Sequence, residues 1–222
     1  MTPCNTRNNQ WCVIANATQE LSEEDINAII QRRVITLDGA YIITQRLQIK
    51  TDVLLGDFDS IDVSHLDLAG RDGHVQVVST PDQNRTDLEK ALVFLKEDHA
   101  KDVIILNAVS GRVDHSLYNL RLLKRFSSYF EDLVIHSYSE RIRLIEDEEV
   151  ELKGVVGARV SIMGFPDACV TSTGLRYDMF RQQMRCLSGD SVSNSLNTDS
   201  ARLVVSGSAV LFSTMGIEVN TI

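Results

Sequence analysis

Four short segments hold the residues best equipped for chemistry: Asp38-Gly39, Gly56-Asp57-Phe58-Asp59-Ser60, Pro81-Asp82-Gln83-Asn84-Arg85-Thr86-Asp87 and Ser110-Gly111-Arg112-Val113-Asp114-His115. Asp57 and Asp59 stand two apart, so on an extended backbone both carboxylates point to one side and the Phe58 ring to the other. Such a pair can grip one hard cation, since Mg²⁺ takes oxygen ligands and usually combines one or two carboxylates with substrate phosphates. Arg85, Lys90 and Arg112 accompany the acids, and cations beside metal-binding carboxylates are what a polyphosphate needs. Asp, Gly and Ser also build turns, and any one segment taken alone reads equally well that way. Lys90 by itself reads as part of a solvated helix face. Arg112, in a glycine-containing loop ahead of a helix, is the stronger phosphate ligand, with a salt bridge to a neighbouring Asp as its alternative. His115 opens the same helix, a position that suits an orienting role more than a general base; His74, His99 and His136 have no partner pattern.

The elements that must carry these segments follow from apolar periodicity. Strands are predicted at Trp11–Ala15, Val34–Leu37, Val53–Leu55, Val75–Val78 and Val103–Leu106, all rich in the β-branched residues of a buried sheet. Between them Ser22 caps a helix with Glu23, Glu24 and Asp25 in its first turn and Ile26, Ile29 and Ile30 on one face. Further helices start near Ala40, near Thr86 and near Asp114 or His115, the last running to about Phe126. Thr86 and Glu89 have capping-box spacing, and Leu88, Ala91, Leu92 and Leu95 share a face. Alternating strands and helices predict an α/β N-terminal domain with a mostly parallel sheet, over 11–135. Each acidic segment then follows a strand, so all four fall at the carboxyl edge, where open α/β sheets bind ligands.

After Val134 the texture changes to short β-prone pieces separated by Gly, Ser and Asp. Strands are predicted at Ile142–Ile145, Arg159–Met163, Ala168–Thr171, Leu203–Val205 and Ala209–Phe212, giving an all-β, sandwich-like C-terminal domain over 136–222. The 222 residues are 43% hydrophobic and 24% charged, which is ordinary for a globular protein, and no apolar run approaches the roughly 20 residues of a membrane span. Met1–Gln10 has no apolar core of a signal peptide and reads as a disordered lead-in, which places the chain in the cytoplasm. A net charge of −9 argues against a nucleic-acid partner, which requires a basic face. The four cysteines are scattered without a CxxC pair, so they read as reduced thiols.

The segments around Asp57, Asp87 and Asp114 resemble, in order and approximate spacing, the three acidic signatures of the thiamine pyrophosphokinase family. Thr173-Gly174-Leu175-Arg176-Tyr177-Asp178 and Ser191-Val192-Ser193-Asn194 look like that family's thiamine-side motifs, so the resemblance covers nearly the whole chain. It implies a homodimer that transfers diphosphate from ATP to the thiamine hydroxyl, with active sites between subunits. It implies Mg²⁺ and ATP phosphates around Asp57, Asp59 and Asp87, with Asp114 at the reacting centre and Arg112 on phosphate. Asp38, Gln83 and Thr86 fall on the ATP side; Tyr177, Ser191, Ser193 and Asn194 fall on the thiamine side. Asp38-Gly39-Ala40 departs from the family's Asp-Gly-Gly, and the extra methyl is expected to restrict the backbone there. Gln83-Asn84 lacks a second acid, and Tyr177 stands where many relatives have tryptophan. A pyrophosphokinase for another heterocyclic alcohol and a metal-dependent phosphohydrolase stay open as alternatives, whereas Asp57, Asp59, Asp87, Arg112 and Asp114 together speak against a non-catalytic nucleotide-binding module.

Overall fold

A computed structural model of the chain describes residues 9–16, 21–59, 73–186 and 190–222. Residues 1–8, the bulk of the expected lead-in, and Ser60 lie outside the described residues. The last two residues of that lead-in are ordered: Gln10 opens the first strand and bonds Asp102 at 3.0 Å, and the Asn9 carbonyl accepts from Lys101 N–H at 2.9 Å. One compact unit ends at Tyr138 and the second spans Ser139–Ile222.

The first unit runs β1 (Gln10–Ile14), α1 (Glu23–Ile30), β2 (Arg33–Leu37), a 3₁₀ turn (Asp38–Ala40), α2 (Tyr41–Arg46), β3 (Val53–Gly56) and β4 (Gln76–Ser79). It continues through α3 (Asp87–Glu97), β5 (Asp102–Leu106), α4 (Val113–Phe126) and β6 (Asp132–Ser137). The sheet order is β6-β5-β1-β2-β3-β4, every pair parallel. The chain builds outward from β1 to β4 and then returns to β5 on the other side of β1. That reversal is a topological switch point, and it sets the carboxyl ends of β1 and β5 side by side. Trp11, Cys12, Val13 and Ile14 are all fully buried because both faces of the sheet are covered. Cys12 and Ile14 pack with Ile29 of α1, whereas Trp11 meets Phe94 of α3 edge-on at 6.2 Å between ring centroids.

The starts of α1 and α3 carry side-chain caps. Ser22 and Asp25 form a reciprocal capping box, and Asp25, buried by this turn, also contacts His136 Nδ1 at 3.1 Å. His136 therefore has a partner after all, one that arrives through tertiary structure from β6. Thr86 Oγ accepts from Glu89 N–H at 3.3 Å, but the expected return arm is replaced: the buried Glu89 carboxylate bonds Tyr118 and pairs with Arg125 at 2.7 Å. The unit boundary falls after Tyr138, three residues beyond the sequence estimate, because β6 continues to Ser137.

The second unit is built of antiparallel strands: β7 (Glu140–Glu146), β8 (Glu149–Lys153), β9 (Arg159–Thr173), β10 (Gln182–Arg185), β11 (Ser191–Ser195), β12 (Ser200–Thr214) and β13 (Glu218–Thr221). β9 and β12 pair along their lengths with a register shift between Gly207 and Ala209. The first part of β9 also pairs β11 and the second part β10. Likewise β12 pairs β8 near its start and β7 towards its end, and β13 extends β8. β9 and β12 thus form one long central pair, with the shorter strands added along its two outer edges. Alternate residues Val160, Ile162, Ala168 and Val170 of β9, with Ala201, Leu203, Val205, Ala209 and Leu211 of β12, fill a single core. Where the sequence predicts separate strands on either side of Gly164-Phe165-Pro166 and of Gly207, the structure has in each case one continuous strand with a register shift in its pairing. β8, β10 and β13 add edges that the composition did not mark.

Candidate active site

Asp38, Asp57 and Asp59 converge at the carboxyl ends of β2 and β3, with one oxygen from each lying within 4.8 Å of the others. They meet by a turn, contrary to the extended Phe58 expected from the sequence. Phe58 adopts φ of +63°, and its ring packs beside Tyr41 and Leu54. The reversal lets Phe58 N–H donate to Asp38 Oδ2 at 3.1 Å and Asp59 N–H donate to Asp57 Oδ1 at 3.3 Å. Asp38 is buried, and its other oxygen accepts from Gly39 N–H at 2.5 Å. Gly56 makes room for it: a Cβ there would stand 2.5 Å from Asp38 Cγ. A Cβ on Gly39 would meet the Asn16 side-chain amide at 2.3 Å, so a larger residue there would have to displace that exposed side chain. Ala40, by contrast, imposes no restriction. Its φ is −90°, an ordinary helical value, and its methyl is buried with Cys12 and Ile14.

Burial first, with the charges of Asp87 and Asp57, pushes the Asp38 carboxyl up, and the Gly39 and Phe58 N–H groups offset only part of this. Asp57 is held below the usual carboxylate range by the Asp59 N–H and then by the Gln83 amide, which donates to it at 2.7 Å. Crowded carboxylates with hard oxygen donors fit a divalent cation such as Mg²⁺. Asp38 completes this trio. Asp87, at the start of α3, is instead held by Lys90 Nζ at 2.9 Å.

These residues border a cavity of about 740 Å³, within the roughly 300–1,000 Å³ of small-molecule sites. Asp38, Asp57, Gln83, Thr86 and Asp87 line one part of its wall, and Arg112 and His115 line another. Arg112 donates to Asp114 through Nη2 at 2.6 Å and Nε at 3.2 Å. The guanidinium hydrogen bond holds the exposed Asp114 carboxyl down to about 2. Asp59 and Asp114 are not among the residues that line the cavity. Lys90 is: rather than lying on a solvated helix face, it is 8% exposed and donates to Asp87 and to the Thr80 carbonyl, both at 2.9 Å. Asn16 and Asn107 also line the wall. They follow β1 and β5, and a search of strand ends for acids alone passes over them; the signal was a polar residue at each end of the switch point.

In the second unit, Asn194 is buried with every side-chain atom engaged. Its Oδ1 accepts from Tyr177 N–H and Ser195 N–H, and its Nδ2 donates to the Tyr177 carbonyl and Ser191 Oγ. Asn194 therefore fixes the turn that presents Tyr177, a residue that is 63% exposed. Asp178 secures the other side of that turn, accepting from Ser172 Oγ and from the Leu175 N–H at 3.0 Å. Ser193 adopts φ of +60°, with its N–H on Ser161 Oγ at 3.0 Å.

Residues 28–135 match the family described as "Thiamin pyrophosphokinase, catalytic domain". Thiamine pyrophosphokinase 1 of Oryza sativa subsp. japonica is 29% identical over 170 residues, covering 71% of this chain and 64% of that protein. Thiamine pyrophosphokinase 1 of Arabidopsis thaliana is 27% identical over 184 residues, covering 78% of this chain and 68% of that one. The chain thus aligns with just under two thirds of the rice relative. Among solved structures, thiamine pyrophosphokinase from Bacillus subtilis superposes with a TM-score of 0.81 at 19% identity, covering 92% of this chain and 98% of that one. Yeast thiamin pyrophosphokinase gives 0.76 at 15% identity, covering 93% and 86%. At such identities the structural likeness is one of fold. The segment 28–135, just under half of the chain, is thus similar to the catalytic domain of thiamine pyrophosphokinases, and the relatives and solved structures that resemble the chain carry that name.

Proposed function

We propose that the chain transfers diphosphate from ATP to the hydroxyl of thiamine, giving thiamine diphosphate and AMP. The observation that carries this reading is the meeting of Asp38, Asp57 and Asp59 beside a cavity that also holds Asp87, Lys90 and Arg112, in the segment matched to the catalytic domain. Asp38, Asp57 and Asp59 would hold a divalent cation such as Mg²⁺, which when bound supplies charge neutralisation at phosphate oxygens. Arg112 releases Asp114 and turns its planar donors to phosphate. The thiamine oxygen attacks the β-phosphorus, the bond from that phosphorus to the bridging oxygen breaks, and AMP leaves with the oxygen and its electron pair. Asp87 accepts the hydroxyl proton: it lines the cavity, whereas Asp114 is not among the residues that border it. The remaining work is positioning, as phosphoryl-type transfer asks little covalent chemistry of a protein.

The acceptor side is assigned to the second unit, with Tyr177 stacking on the thiamine ring and Asn194, Ser191 and Ser193 setting its presentation. Exposed Tyr177, Phe180 and Val192 support association with a second copy of the chain, and a homodimer is the proposed working form. Among the described residues no helix is long and apolar enough to cross a membrane, and Cys12, Cys169 and Cys186 are free thiols, which supports a cytoplasmic setting. The test is AMP release from ATP and Mg²⁺ with and without thiamine. Release that requires thiamine and is matched by thiamine diphosphate supports the proposal. AMP formed equally in its absence makes the protein a hydrolase.

A further inference from the structure

We propose that Lys90 is a substrate-contacting residue, whose ammonium binds the β- and γ-phosphates of the nucleotide. The inference rests on the nucleotide reading above. A lysine buried to this degree has given up most of its hydration and must be compensated. Here the compensation is incomplete: Nζ carries three donors, and among the described residues two are used, on Asp87 Oδ1 and the Thr80 carbonyl. Lys90 also lines the cavity beside Asp57 and Asp87, and its charge reaches Asp57, lowering that carboxyl's pKa.

The other cations of the wall are committed elsewhere and more exposed. Arg112 is chelated by Asp114 with its side chain 70% exposed, and Arg85 lies between Asp82 at 3.7 Å and Glu89 at 3.8 Å with 46% exposure. Each must change partners or fix a mobile chain to meet a ligand. The Lys90 side chain is 7% exposed and already fixed at both bonds, so its ordering cost falls on folding and not on binding. Thr80 follows β4, and its own N–H donates to the Gly56 carbonyl at 2.8 Å. Lys90 thus sits on a tie between α3 and the strand edge that carries Asp57. An ammonium held there is preorganised for charge on the transferred diphosphate.

The experiment compares binding of α,β-methylene-ATP, which cannot be cleaved at the α–β bridge, with binding of AMP. Calorimetry is run with Mg²⁺ on the full chain and its Lys90→Met and Lys90→Gln variants. The proposal expects both variants to lose at least about tenfold in affinity for the triphosphate, with AMP affinity changed by less than about twofold. Parallel losses for the two nucleotides would mean that Lys90 is a structural strut, and undiminished triphosphate affinity would mean that it makes no contact; either overturns the proposal. If stranding Asp87 prevents folding, Asp87→Asn/Lys90→Met removes both members of the pair, and the same selective loss is expected relative to Asp87→Asn alone. A parent chain that binds neither nucleotide also overturns it. Selective loss in a protein that makes no thiamine diphosphate would leave the phosphate contact standing and reject the assigned acceptor.

Discussion

Replacing Gly56 by alanine tests whether the position of Asp38 is built by the strand beneath it. The new Cβ would lie 2.5 Å from Asp38 Cγ, 2.6 Å from Cβ and 2.7 Å from Oδ2. Two of those three atoms belong to the rigid stem of the side chain, and the carboxylate is held by Gly39 N–H and Phe58 N–H. The chain must either accept the overlap, which costs about 1–3 kcal/mol, or displace Asp38 and lose charge-assisted hydrogen bonds, which costs about 1.5–3 kcal/mol. Whichever route is cheaper, a loss of roughly 2 kcal/mol follows, or about 4–8 °C in melting temperature for a chain of this size. The melts are run with chelator and again with Mg²⁺. Stabilisation by Mg²⁺ should shrink in Gly56→Ala, because moving Asp38 disperses the trio. Asp38→Ala retains the offending Cβ, so the informative partner is Asp38→Gly. In the double variant the two costs should not add, and a coupling of about 1–2 kcal/mol is expected. Full stability in Gly56→Ala, or strict additivity in the double variant, would refute the reasoning.

Asp57→Asn and Asp59→Asn should each lower thiamine-dependent AMP production by about a hundredfold or more while melting, in chelator, no lower than the parent, since removing one charge relieves carboxylate repulsion; near-normal turnover by the folded variants would reject the metal assignment. Tyr177→Ala should weaken thiamine use by about 0.5–1.5 kcal/mol beyond lost area and leave ATP binding unchanged; equal loss for both substrates in a folded variant would reject the division between units. Burial pushes Asp25 up, but hydrogen bonds from His136 and from the Ser22 backbone and hydroxyl outweigh it and lower its pKa below the ordinary 3.8. Its contribution to stability is therefore full above 3.8 and is lost as pH falls through the lower folded value, so denaturant melts in acid should show the parent losing its advantage over Asp25→Asn in that window. A constant difference between the two across the window would contradict the pairing.

The parallel sheet was readable because buried strands such as Trp11–Ile14 and Val103–Leu106 are local apolar runs, and the acids were readable because they follow such runs. What sequence order hides is partnership at a distance. Gly164, Pro166 and Gly207 look like the ends of strands, and the pairing does shift register there; β9 and β12 continue because each pairs with the other on both sides of the shift. Lys90 lies off the apolar face formed by Leu88, Ala91, Leu92 and Leu95, and it is buried through its bonds to Asp87 and to Thr80, ten residues earlier. The Asp57–Asp59 pair was assigned to one side for the wrong backbone reason, since a left-handed Phe58 is not written in local propensity.

The central claim is that the β-phosphorus of ATP is the atom attacked, and placing ¹⁸O in the α–β bridge of ATP tests it directly. With thiamine and Mg²⁺ present, the account predicts AMP that retains the bridging ¹⁸O and thiamine diphosphate that carries none of it. Label recovered in ADP beside thiamine monophosphate, or in pyrophosphate beside an adenylylated thiamine, would contradict it.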